Sequence, residues 1–180
     1  VMDATYQSTS TKSANFDFKL NAKEFDIAKA YKEIKLFREM ATSASKVKGV
    51  VGLDYQITGR LNDEMYPVFP SIKGGGSLTL KDVKLAGFKM MNAVSKETKR
   101  DSLTNPNLKD VVVKTTIKNN IITIERTKMK IAGFRPRFEG QVSFDGRLNL
   151  SGRLGLPPFG IIGIPLSVTG TQEKPVVKLK

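Results

Sequence analysis

Residues 108–131 read LKDVVVKTTIKNNIITIERTKMKI. Two β-branched runs flank Asn119 and Asn120, and Asn tolerates the positive φ that a tight turn needs, so the spacing predicts a β-hairpin. The device recurs downstream in RFEGQVSFDGRLNLSGRLGL, residues 137–156. Phe138, Val142 and Phe144 alternate with Glu139, Gln141, Ser143 and Asp145, the Asp145-Gly146 pair turns, and Leu148, Leu150, Leu154 and Leu156 return. Upstream, VVGLDYQITGRL puts Val51, Leu53, Tyr55, Ile57 and Leu61 on one face and Asp54, Gln56, Thr58 and Arg60 on the other. NFDFKL (15–20), SLTLKDVKL (77–85), IPLSVTGT (164–171) and PVVKLK (175–180) read as further strands. About eight or nine strands joined mainly by local turns imply antiparallel pairing, because parallel neighbours need crossovers that this spacing does not supply.

Two segments break the two-residue period. Ile27, Ala30, Tyr31, Ile34, Phe37, Ala41 and Ala44 recur at three- and four-residue steps, with Lys29, Lys32, Lys35 and Arg38 elsewhere, which predicts one long helix. Its cap is either Asn21, with Glu24 three residues on, or Asp26, and TSAS (42–45) marks its end. GFKMMNAVSKETK (87–99) predicts a second, short helix. The fold class is therefore mainly β with α, an α+β arrangement: a strongly twisted, curved antiparallel sheet with one long and one short helix. Residues 1–12 read as a disordered or linker lead-in and 13–180 as a single domain. One amphipathic stripe is far narrower than eight strands, so the sheet either curls on itself or encloses something apolar.

LGLPPFGIIGIPLSVTG (154–170) carries no charge. Pro157, Pro158 and Pro165 remove backbone donors, and Gly155, Gly160 and Gly163 weaken any helix, so a lipid-exposed span would leave amides unpaired in hydrocarbon. The stretch reads as a corner with a small apolar loop, followed by a strand from Pro165 to Thr171. Phe159, Ile161 and Ile162 are then candidates for contact with a membrane or a neighbouring module.

The chain has no Cys, Trp or His among 180 residues. Disulfides, thiolate or imidazole metal sites, and schemes with a Cys or His nucleophile or base are excluded, and no cofactor is expected. The compartment is left open by the missing cysteines. VMDATYQSTSTKS has no basic start followed by an apolar run, and a chain starting on Val reads as a piece of something longer. Asp63 and Glu64 are adjacent and point apart on a strand or lie solvated in a loop, which is no catalytic pair. KGGGS (73–77) lacks the phosphate-loop spacing and reads as a flexible lead into the next strand. The domain is read as no enzyme.

The net charge is +13. Up to Met90 the chain has 14 basic and 10 acidic residues, and beyond it 16 and 7. The densest part is RTKMKIAGFRPR (126–137), with Arg126, Lys128, Lys130, Arg135 and Arg137 and no acid. Such a surface is either a solvated strand face or a place for phosphates, on nucleic acid or on lipid headgroups. Single-strand nucleic-acid binders pair a basic groove with exposed aromatic platforms. Here Phe138 and Phe144 stand on the apolar side of their strands and the lysines are dispersed, which disfavours a nucleic-acid partner. The lipid reading uses both features: Val113, Ile122, Ile124, Val142, Phe144, Leu148 and Leu150 line a groove for acyl chains, and Lys128, Lys130, Arg135 and Arg137 hold headgroups on an anionic membrane surface. The competing reading makes the same apolar residues an ordinary core.

From Gly74 to Leu179 the order of elements resembles the C-terminal region of the AsmA family of bacterial envelope proteins, in particular Bacteroidetes-type members. The resemblance is carried by GSLTLKDVKLAGF (76–88), by the strands of 111–157 with "KIAG", "FDG" and "LNLSGRLGLP", and by the ending IPLSVTGTQEKPVVKL. DIAKAYKEIKLFREM and LDYQITGRL are similar to the preceding module of that family. The resemblance implies the periplasmic part of a larger, inner-membrane-anchored protein of a Gram-negative bacterium. It further implies work in outer-membrane biogenesis and lipid transport, with phospholipid or another envelope lipid moving along an apolar trough, other envelope proteins as partners, and no catalytic motif. The alternative is a scaffold or protein-interaction domain without lipid, and the third is a basic single-stranded nucleic-acid binder.

Overall fold

The computed structural model describes residues 2–10, 13–33, 38, 45 and 47–180. They form one ten-stranded antiparallel sheet whose spatial order is the chain order. The strands are β1 (Met2–Ser10), β2 (Ser13–Asp26), β3 (Val47–Asn62), β4 (Lys73–Leu85), β5 (Asn107–Lys118), β6 (Ile121–Lys128), β7 (Arg135–Ser143), β8 (Leu148–Gly155), β9 (Gly163–Gly170) and β10 (Pro175–Leu179). Two helices, α1 (Ile27–Glu33) and α2 (Lys89–Thr98), connect β2 to β3 and β4 to β5.

The mainly antiparallel class agrees with the sequence, and the tenth strand is β1, part of the expected lead-in. MDATYQSTS has so few apolar residues that its alternation is faint, and it becomes a strand by pairing with β2, Ala4 opposite Phe18 and Tyr6 opposite Phe16. The expected long helix is not observed: α1 has seven described residues, and the continuation through Ile34, Phe37, Ala41 and Ala44 lies outside the described residues. Of the two proposed caps, Asn21 is a β2 residue opposite Asp54, whereas Asp26 Oδ1 accepts the Lys29 amide at 2.9 Å. The short helix forms as expected. It ends on Lys99 in the left-handed region (φ 54°), where the Arg100 amide donates to Ser95 O at 3.0 Å.

Pairing partners share a face, so register sorts the sheet into one apolar and one polar side. Phe16, Phe18 and Leu20 of β2 lie opposite Gly59, Ile57 and Tyr55 of β3. Leu53 and Val51 continue to Leu78 and Leu80 of β4, then to Val113 and Val111 of β5. Farther on, Leu150 pairs with Gly140 and Val168, and Val168 with Val177. The main core joins Val51, Leu80, Val83 and Val111 to Leu148, Leu150, Leu154, Leu166, Val168 and Val177, with Met90, Met91 and Val94 of α2 packed on it. α2 lies against β10, its Lys89 forms an ion pair with Glu173, and Arg100 stacks over the Phe134 ring at 5.8 Å.

A second cluster closes the other end. The β3–β4 connection makes a 3-10 turn at Phe69–Ser71, then buries Ile72 completely against Phe16 and Ile117. Phe69 stacks on Phe144 with centroids 5.1 Å apart and planes 26° from parallel. KGGGS is no flexible lead: Gly74, Gly75 and Gly76 sit inside β4, paired to β3 and β5 on both sides. Both hairpin turns are where the sequence puts them, with φ of 54° and 62° at Asn119 and Asn120 and 87° at Gly146. Residues 157–162 form the expected corner loop, closed by Leu156 N to Ile162 O and Gly160 N to Leu156 O, both 2.8 Å. Among the described residues, no helix is long and apolar enough to cross a membrane.

Candidate functional site

All seven proposed groove residues stand on the apolar face, in three different situations. Leu148 and Leu150 are buried in the main core. Phe144 and Ile122 belong to the second cluster, beside Phe69 and Ile72. Val113, Ile124 and Val142 are half-buried at the margin of the main core. With Leu53 and Leu78, which the sequence reading did not single out as groove residues, they supply one half-buried aliphatic side chain from each of β3 to β7. Two-residue alternation marks these positions as inward but does not distinguish them from Val51, Val83 or Val111, which are covered completely.

Lys128, Lys130, Arg135 and Arg137 are all exposed at the β6–β7 connection and its flanks. Lys128 pairs across with Arg137, and Arg137 with Arg153 of β8, so three cations follow one another over three strands of the polar face. Like charges in direct cross-strand register repel. The nearby carboxylate is engaged: Arg126 donates from Nε to Glu139 Oε2 at 3.1 Å and from Nη2 to Oε1 at 2.8 Å. That hydrogen bonding holds the Glu139 carboxyl below its usual range and the Arg126 guanidinium above its own. A depression of about 160 Å³ opens between Arg126, Arg137, Glu139, Ser151 and Arg153.

Arg153, absent from the residues selected by sequence, ties this surface to the corner loop. Its Nη1 donates to Gly160 O at 3.1 Å and its Nη2 to Ile161 O at 2.6 Å. Beyond those carbonyls Phe159, Ile161 and Ile162 are 69%, 80% and 74% exposed. The alternation in LNLSGRLGL places Arg153 outward but does not reveal that it folds onto a loop seven residues away.

A second depression, about 420 Å³, lies over Gly75 and Gly76, with Lys19, Asp54, Gln56, Lys114 and Glu125 around it. Tyr55 is hydrogen-bonded to Thr115 Oγ1 at 2.6 Å, and burial pushes its phenol above the ordinary value against the opposing effect of that bond. Asp63 and Glu64 are exposed in the β3–β4 connection. Compared with family models, with curated proteins and with solved structures, the chain matches none.

Proposed function

We propose that this chain is a non-enzymatic module of an AsmA-like envelope protein that handles phospholipid on the apolar face of a curved antiparallel sheet. The observation that carries the reading is the half-buried band of Leu53, Leu78, Val113, Ile124 and Val142, one residue from each of five successive strands. It lies between an end covered by the helices and an end covered by Phe69 and Ile72. Curvature is supported by the position of α2. A flat sheet would separate β4 from β10 by about 29 Å at ~4.8 Å per strand, yet Lys89, which four residues of at most ~14 Å join to the end of β4, forms an ion pair with Glu173 just before β10. Acyl chains are the natural occupant of such a band, because aliphatic side chains select by apolar contact and the Tyr55 and Thr115 hydroxyls on the same face bond each other.

The motifs resembling the AsmA family are the support for outer-membrane biogenesis and for a periplasmic location in an inner-membrane-anchored parent. One observation favours the scaffold reading instead: Leu148 and Leu150 are already enclosed by protein. Mass spectrometry of organic extracts from the purified chain separates the two. We expect co-purified phospholipid, reduced several-fold in Ile124→Gln while the far-UV β signal is kept. Extracts free of lipid would leave a protein-interaction domain.

A further inference from the structure

We infer that the β8–β9 loop is a docking tip for anionic bilayers, inserting Phe159, Ile161 and Ile162 at acyl depth while the adjoining cations engage lipid phosphates. Large apolar side chains grouped at one exposed tip mark a contact surface, whereas single exposed ones are ordinary. Here three stand together, each more than two-thirds exposed. The tip is held in place before any partner arrives. Arg153 clamps the Gly160 and Ile161 carbonyls, Leu156 and Ile162 are hydrogen-bonded, and a Cβ at Gly160 would meet the Arg135 side chain at 2.9 Å. Little ordering entropy is therefore lost on insertion.

Charge selects a bilayer over a protein groove. Lys128, Lys130, Arg135 and Arg137 form no ion pair among the described residues, and Glu139 is held by Arg126. Lys128, Arg137 and Arg153 follow in cross-strand register, and the carboxylate beside Arg137, Glu139, is taken up by Arg126. A phosphate-rich plane supplies the missing negative charge to all of them at once and offers apolar depth to the neighbouring tip. The attraction is worth on the order of fivefold in partitioning per cation near an anionic surface and fades with salt. No acyl chain in the trough is needed, so lipid-free extracts with a working tip, or the reverse, tell the two readings apart.

The chain has four Tyr but no Trp, so Phe159→Trp gives indole emission, excited selectively at the red edge, from this tip alone. With phosphatidylcholine–phosphatidylglycerol vesicles at low salt, we expect a blue shift and quenching by lipids brominated on their acyl chains. Both should vanish with phosphatidylcholine alone. Changing Lys128, Lys130, Arg135 and Arg137 to Glu should reduce vesicle partitioning at least tenfold. All four are exposed, and a matching set of Gln substitutions with unaltered far-UV spectra controls for folding. Emission that stays water-like on anionic vesicles overturns the proposal, as does equal quenching on neutral vesicles. A shift seen only on adding another protein also overturns it and reassigns the tip to a protein partner.

Discussion

A Cβ at Gly76 would lie 1.9 Å from Asp54 O, and one at Gly74 2.0 Å from Gln56 O. With φ of 157° at Gly76, the backbone also occupies a region that side chains rarely adopt. Gly76→Ala should therefore destabilise the fold by roughly 2–4 kcal/mol, read from the shift of a urea unfolding curve. Gly87, with nothing within 4 Å of its would-be Cβ, serves as the comparison, and Gly87→Asn should cost far less. Composition alone makes three successive glycines look like a loop. The carbonyls that demand them belong to β3 and β5, which arrive from elsewhere in the chain, and the local sequence carries no record of that approach.

The β7–β8 hairpin is the element whose local chemistry is most complete. Ser143 Oγ donates to Asp145, Arg147 Nε lies 2.9 Å from Asp145 Oδ2, and the Arg147 amide donates to Ser143 Oγ at 3.0 Å. The Ser143 hydroxyl first, and Arg147 second, hold the Asp145 carboxyl below the usual carboxylate range. A carboxyl with a depressed folded-state pKa adds stability that is present above its unfolded pKa and lost as pH falls through the folded value. Asp145→Asn should thus lower Tm at neutral pH, with the difference from the parent closing as the solution is acidified below the ordinary carboxylate range. Thermal melts over a pH series check it. Hairpins of this kind were legible because Asn-Asn and Asp-Gly carry their turn chemistry within two residues. β1 was not, since its strand character comes from Phe16 and Phe18 across the ladder rather than from apolar residues of its own. The helix starting at Ile27 was legible by its period and its capping carboxylate, and two caps looked alike because Asn21 also precedes an acidic residue.

At the scale of the molecule, hydrogen bonding on both sides distinguishes β2 to β9 from the two outermost strands. Amide hydrogen exchange should be slowest in β4, β5 and β8, which carry Leu80, Val83, Val111, Leu150 and Leu154, and fastest in β1 and β10. Mass spectrometry of exchanged peptides would show it, and equal protection of β1 and β5 would contradict the pairing. Alternation told which side of each strand is apolar, but not that α2 would come to rest on β10, because no short-range pattern names a partner five or more strands away. The candidate cations and the exposed tip could be read as separate patches of composition; their union through Arg153 required coordinates. The strictly sequential strand order has a further effect. Almost every sheet contact is made between stretches adjacent in the chain, so loop closure is inexpensive and assembly can proceed like a zip, hairpin after hairpin, as the polypeptide is synthesised. The seating of α2 on β10, the stacking of Phe69 on Phe144 and the joining of Val51 and Leu80 to Leu166 and Val177 in the main core must wait for distant segments to exist, which makes these latches late events of folding.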